Sequence, residues 1–198
     1  MKRLFSIITF IGIVSLCANG ANPERIGIIG LDTSHSIAFT KLLNDQSSKD
    51  DLVVRYEVVA AYPYGTRNIE SATSRIPKYT EEIQQYGVKI TSSIAELLSM
   101  VDCIFLETND GNLHLEQAAE VFKSGKKIYI DKPLGATLGQ AIAIYRLAGQ
   151  YGIKFFSSSA VRFTVQNAKI REGEYGEILG ADCYSPHNPE KTHPDFEE

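Results

Sequence analysis

Five short runs of this chain are apolar at odd and even positions alike, and stretches with helical periodicity separate them. No other feature narrows the possible folds as far. A strand that is apolar on both faces has to be buried on both, and a parallel sheet with helices packed on either side does that. The runs are Ile26-Gly27-Ile28-Ile29-Gly30, "YEVVAAY" (56–62), "VDCIFLE" (101–107), "KIYID" (127–131) and "IKFFSSS" (153–159).

The intervening stretches read as helices. One is expected from about His35 to Asn44, with Ile37, Ala38 and Leu42 facing inward. Residues 66–86 are more polar and read as loop and helix. Ser93 with Glu96 three residues on is a capping-box signature. Leu115, Ala118, Ala119 and Phe122 fall on one face of a helix that Gly125 ends. Thr137 and Gln140 can cap another, in which Leu138, Ala141, Ile142 and Tyr145 repeat the spacing. The expected fold class is therefore α/β, a Rossmann-like doubly wound parallel sheet over residues 24–160 with right-handed crossovers. After Arg162 the pattern changes: "EGEYGEILGADCYS" (172–185) looks like a turn entering a strand, and residues 186–198 carry no core-forming pattern. Residues 163–198 are expected to be the beginning of a second, incomplete domain.

The first twenty residues stand apart. Lys2 and Arg3 precede an apolar run from Leu4 to Cys17, and Ala18-Asn19-Gly20 follow. A membrane span needs roughly 20 apolar residues, and the order of charge, apolar run and small residues fits a signal peptide over residues 1–20. An uncleaved anchor and lipidation at Cys17, preceded by a loose lipobox Val14-Ser15-Leu16, are the other readings. Export is expected, to the periplasm or to a lipid anchor on the cell envelope. Cleavage would remove two positive charges and take the net charge from −4 to −6, which argues against nucleic acid and anionic membrane as partners. Cys103 sits in an apolar run and reads as a buried thiol, and nothing in its spacing from Cys183 demands a disulfide.

"GIIGLDTSHS" (27–36) occupies the place of a dinucleotide-binding loop at the end of the first strand. Gly30 is correctly placed, but the second and third glycines of G-x-G-x-x-G are replaced by Asp32 and His35. An ionised Asp32 would bring negative charge to the pyrophosphate site. Asp32, Thr33 and Ser34 are also good helix caps, and capping and ligand contact are both open to them. His35 reads as a helix-start residue, since no second metal ligand is recognisable for it, and no metal is expected. At the end of the second strand Tyr62 stands where an acid would hold the ribose. Arg67 could meet a 2′-phosphate or be a solvated loop residue.

"ETNDGNLHLEQAAEVFKSGKKIYIDKPLGATLGQA" (107–141) is more specific. With Thr108-Asn109, His114, Gly125-Lys126 and Asp131-Lys132-Pro133 in order, it resembles the Gfo/Idh/MocA family, named for glucose–fructose oxidoreductase and inositol dehydrogenase. The family's usual Glu-Lys-Pro is Asp-Lys-Pro here, and the resemblance runs from about Ile26 to Arg162. It implies a Rossmann domain (residues 21–162) that binds NAD or NADP, and a following sheet domain that covers substrate and often builds a homo-oligomer. It also implies Lys132 as the catalytic lysine, with Asp131 orienting its ammonium. Asn109 and His114, with Thr108, would lie near the nicotinamide or its ribose. A lysine whose pKa is lowered by burial can take up the hydroxyl proton as hydride leaves carbon. Arg162 follows the last strand and could face the cleft. His187, Lys191 and His193 read as loop residues near a substrate mouth.

Three functions follow. The first is an exported NAD(P)-dependent oxidoreductase-like protein acting on a sugar, polyol or sugar derivative, with weak cofactor binding through its degenerate loop. The second is a non-catalytic sugar- or sugar-acid-binding module using the same cleft. The third is NAD-dependent glycoside cleavage, which the resemblance allows.

Overall fold

A computed structural model describes residues 22–182 of the 198. Six strands form one parallel sheet: β1 (Glu24–Ile29), β2 (Tyr56–Tyr62), β3 (Lys89–Ile90), β4 (Cys103–Leu106), β5 (Lys127–Ile130) and β6 (Phe155–Ser157), in the order β3-β2-β1-β4-β5-β6. The chain starts at the centre, builds outward to β3, then returns beside β1 and builds the other way. The expected doubly wound sheet is present. β3 was not foreseen, since two residues are too few to show a period.

Among the described residues six helices connect the strands, α1 (Ser34–Leu43), α2 (Glu70–Thr73), α3 (Ile76–Gln84), α4 (Ile94–Met100), α5 (Gly111–Lys123) and α6 (Leu138–Tyr151), and α7 (Val165–Arg171) follows β6. Alternate strand residues feed two cores. Ile29, Ile104, Leu106, Ile128 and Ile130 pack with Leu97, Phe122 and Ile144 under α4, α5 and α6. Ile26, Ile28, Val58 and Ala61 pack with Ile37 and Ile83 under α1 and α3. The second face is covered over β1–β3 and part of β4, where Phe39 of α1 meets Phe105 edge to face at 5.4 Å. From there Phe105, Tyr129 and Phe156 line up in edge-to-face and tilted contacts at centroid distances of 5.5 and 4.9 Å, with Phe156 62% exposed.

Two helix faces differ from expectation. In α1 the buried residues are Ser36, Ile37 and Thr40, while Ala38 and Leu42 point outward. In α6 the capping box between Thr137 and Gln140 forms as expected, but Ile144 and Ala148 are the buried residues. Leu138, Ile142 and Tyr145 are exposed, at 77%, 42% and 62%. Both stripes satisfy helical periodicity, and the rotation of α6 onto α5 selects between them. The segment 172–182 contains no strand; Gly173 and Gly176 turn it at positive φ. Residues 1–21 and 183–198, and with them the expected signal segment and the expected unstructured tail, lie outside the described residues. Among the described residues no helix is long and apolar enough to cross a membrane.

Candidate functional site

The crevice of an open parallel sheet lies past the carboxyl ends of the strands where their order reverses, here between β1 and β4. Gly30 closes β1 with φ +90°, and a Cβ there would stand 2.6 Å from the Thr108 amide nitrogen. Only glycine lets the two loops touch. The Gly30 and Leu31 amides donate to the Tyr62 and Pro63 carbonyls at 2.9 and 3.0 Å, fastening the loop to the end of β2.

Asp32 is fully buried and faces into the protein. Its Oδ2 accepts from the Thr66 amide at 2.7 Å and its Oδ1 from the Asn109 amide at 3.1 Å. Burial pushes the carboxyl above its ordinary range, and these amides pull in the opposite sense. The side chain is thus a clamp joining the loops after β1, β2 and β4. Gly65 makes room for it, since a Cβ there would meet Oδ2 at 2.8 Å.

None of the three candidate caps closes α1. Thr33 holds the N-cap position in extended backbone with no side-chain bond to the helix amides. Ser36 Oγ donates instead to the Thr33 carbonyl at 2.8 Å, and Thr33 Oγ1 is buried without a partner. Ser34 is exposed. The positive end of a ten-residue helix is therefore free of any side-chain cap, which is the arrangement that receives anions.

At the ends of β2, α4 and α5 lies a cavity of about 450 Å³ whose lining includes Tyr62, Tyr64, Arg67, Glu116 and Gln117. The Tyr62 and Tyr64 rings meet edge to face at 5.7 Å, and Arg67 is exposed on the wall. Thr108 is buried with Oγ1 unpartnered, and Asn109 is half-buried at the crevice. His114 is fully buried, and its Nε2 donates to the Thr108 carbonyl at 2.7 Å. Burial lowers its pKa and keeps the ring neutral. It supports the loop from beneath.

The opposite wall is the end of β5. Lys132 is exposed, not buried as its expected role implied, and Asp131 does not contact its ammonium. Asp131 is buried, with Oδ2 2.6 Å from His35 Nδ1 and Oδ1 accepting from the Tyr129 hydroxyl at 3.0 Å. Glu107, at the end of β4, completes this group. It is fully buried, neither oxygen accepts a hydrogen bond, and Oε2 lies 4.0 Å from His35 Nδ1. Burial first, then the neighbouring Asp131 and Asp32 carboxylates, raise its pKa well above the ordinary range. The sequence reading passed over Glu107; an acid closing an otherwise apolar strand was its one signal. Arg162 lies exposed in a short turn (Ala160–Phe163) after β6. His187, Lys191 and His193 lie outside the described residues.

A doubly wound sheet with a glycine-closed first strand, an uncapped first helix and a nucleoside-sized cavity defines a dinucleotide-binding α/β domain. The chain belongs to the Gfo/Idh/MocA oxidoreductase family: the family model described as an oxidoreductase family with an NAD-binding Rossmann fold matches residues 24–158. An uncharacterized oxidoreductase of Streptococcus pneumoniae is 27% identical over 111 residues, which are 53% of this chain and 29% of that protein. The 2,7-anhydro-N-acetylneuraminate hydratase of Escherichia coli is 29% identical over 103 residues, 49% of this chain and 27% of that protein. Among solved structures, scyllo-inositol dehydrogenase from Lactobacillus casei with bound NAD(H) and scyllo-inositol superposes with a TM-score of 0.58 at 18% identity, covering 79% of this chain and 43% of that one. The chain spans less than a third of the length of the two curated relatives.

Proposed function

We propose that this chain supplies the cofactor-binding half of an exported NAD(P)-dependent oxidoreductase acting on a sugar, polyol or sugar derivative. The uncapped N-terminus of α1, with the buried and unpartnered Thr33 Oγ1 beside it, is the observation that carries the reading. It offers donors to a pyrophosphate. The cavity at Tyr62 and Arg67 fits the adenosine half, and with no acid at the end of β2, Arg67 favours a 2′-phosphate over a bare ribose. Thr108 and Asn109 would border the nicotinamide half. A bound nicotinamide accepts or returns hydride at a carbinol carbon.

Lys132, exposed on the rim, donates from its ammonium to the substrate oxygen and orients it, while the hydroxyl proton passes to solvent as hydride leaves. Pro133 fixes the turn that aims it. The names of the relatives support a carbohydrate-like substrate, since one acts on an anhydro sugar acid and another holds an inositol. Oligomerisation through further sequence belongs to the same reading. Export rests on residues 1–20, and protein recovered from the native cell envelope should begin at Ala21 or at lipidated Cys17. Intact Met1 in the cytoplasm would remove that part.

Calorimetric titration of the full chain with NADH and NADPH tests the rest. Tyr62 stands where an acid would hold the ribose, and losing one charge-assisted contact of about 1.5–3 kcal/mol moves a micromolar site to about 10–150 micromolar. Binding in that range is expected, tighter for NADPH, with Arg67→Ala erasing the preference. Gly30→Val should abolish binding, and Lys132→Ala should leave it unchanged. No binding of either dinucleotide up to millimolar concentration would overturn the assignment.

A further inference from the structure

We infer that His35, Glu107 and Asp131 form a binding site for one divalent transition-metal ion, at the ends of α1, β4 and β5. Their ligand atoms, one per residue, all lie within 4.8 Å of one another. An ion held tetrahedrally at about 2.0–2.2 Å from nitrogen and oxygen sets its ligand atoms about 3.3–3.6 Å apart. Binding would draw His35 Nδ1 and Glu107 Oε2 in from 4.0 Å and part His35 Nδ1 from Asp131 Oδ2, now 2.6 Å away.

Glu107 is the observation that points to a ligand. It is a fully buried acid whose oxygens have no N–H or O–H donor in hydrogen-bond geometry and whose polar neighbours include Asp131 and His35, so an ion among the three would offset the cost of burying its charge. The supporting features of a metal site are also present. The Tyr129 hydroxyl holds Asp131 Oδ1 at 3.0 Å, which leaves Oδ2 directed at the centre. His35 is about one-third exposed and lines an adjoining cavity of about 390 Å³, so an ion has a way in. One imidazole and two carboxylates suit manganese, iron or zinc better than magnesium or calcium. Three protein ligands leave further positions for water or for an oxygen of a substrate. The site stands on the crevice wall next to Lys132, but its occupation does not depend on dinucleotide binding.

Tag-free full-length protein, stripped with chelator, should be titrated calorimetrically with Mn²⁺ and with Zn²⁺, and the Mn²⁺ signal followed by electron paramagnetic resonance. The expected result is one ion per chain, with a bound-Mn²⁺ spectrum. Glu107→Gln keeps the volume and removes the charge, and should lose binding while the circular dichroism of the fold persists. Tyr129→Phe should weaken binding about 10- to 100-fold. The proposal is overturned if the unaltered chain takes up no ion at millimolar concentration. It is equally overturned if Glu107→Gln binds as well as the parent, or if Glu107→Gln only raises the melting temperature of a chain that never binds metal. In that last case the pair is a carboxyl and a carboxylate sharing a proton. Dinucleotide titration of the same variant separates this outcome from failure of the cofactor reading.

Discussion

Asp32 shows how far a side chain's role can lie from what its position in a motif implies. At the second-glycine place it reads as a charge that repels phosphate, and restoring glycine ought to tighten binding. In the fold its two oxygens hold the Thr66 and Asn109 amides. Asp32→Gly therefore leaves the buried Thr66 amide and the part-buried Asn109 amide unsatisfied and should destabilise the chain by about 2–6 kcal/mol in urea unfolding, given about 1–3 kcal/mol for each orphaned group. Asp32→Asn, which keeps an acceptor, should cost less. His114 gives the molecule a pH dependence. Its folded pKa is lowered from 6.5 by burial, so its contribution is complete above the unfolded value and is lost as pH falls through the folded one. Thermal stability should decline on acidification below about pH 6.5, and His114→Gln should flatten that part of the profile, at some cost in packing throughout.

Among the elements, α6 tests packing against pattern most directly. Its start was readable because a capping box is local: Thr137 Oγ1 accepts from the Gln140 amide at 3.2 Å, and Gln140 Oε1 accepts from the Thr137 amide at 3.2 Å. Thr137→Ala should cost about 0.5–2 kcal/mol. The buried face was not readable, since Ile142 and Ile144 are both apolar and only contact with α5 and the sheet separates them. Ile144→Ala should cost about 2–5 kcal/mol, against less than about 0.5 kcal/mol for Ile142→Ala. Equal costs in chemical denaturation would mean that the helix is rotated from the position described.

For the whole molecule, the uneven covering of the sheet is the main consequence. α1 and α3 shield β1–β3 and part of β4, while the same face toward β6 presents Phe105, Tyr129 and Phe156 above cavities of about 680 and 390 Å³. Phe163 and Val165 add exposed apolar surface after β6. Clustered exposed apolar side chains of this kind offer a surface to an apolar probe. The native chain should bind an apolar fluorescent dye such as anilinonaphthalene sulfonate, and Phe156→Glu should cut the signal severalfold without shifting the unfolding midpoint. Unchanged fluorescence would show that the patch is covered in solution.

The alternation of strands and helices apart from β3, the Gly30 turn, the caps of α4 and α6, and the membership carried by Thr108-Asn109 through Asp131-Lys132-Pro133 could be read along the chain. Each depends on residues within a few positions of one another, where backbone sterics and side-chain period act directly. What lies across the sheet could not be read this way. Asp32 meets amides 34 and 77 residues away, and His35 meets Asp131 across 96. No local period encodes such a distance. The parallel stacking of β1, β4 and β5 brings the ends of three strands to one edge, and that edge alone decided that Asp32 is a clamp, that Lys132 stands exposed, and that Glu107 is buried beside a histidine.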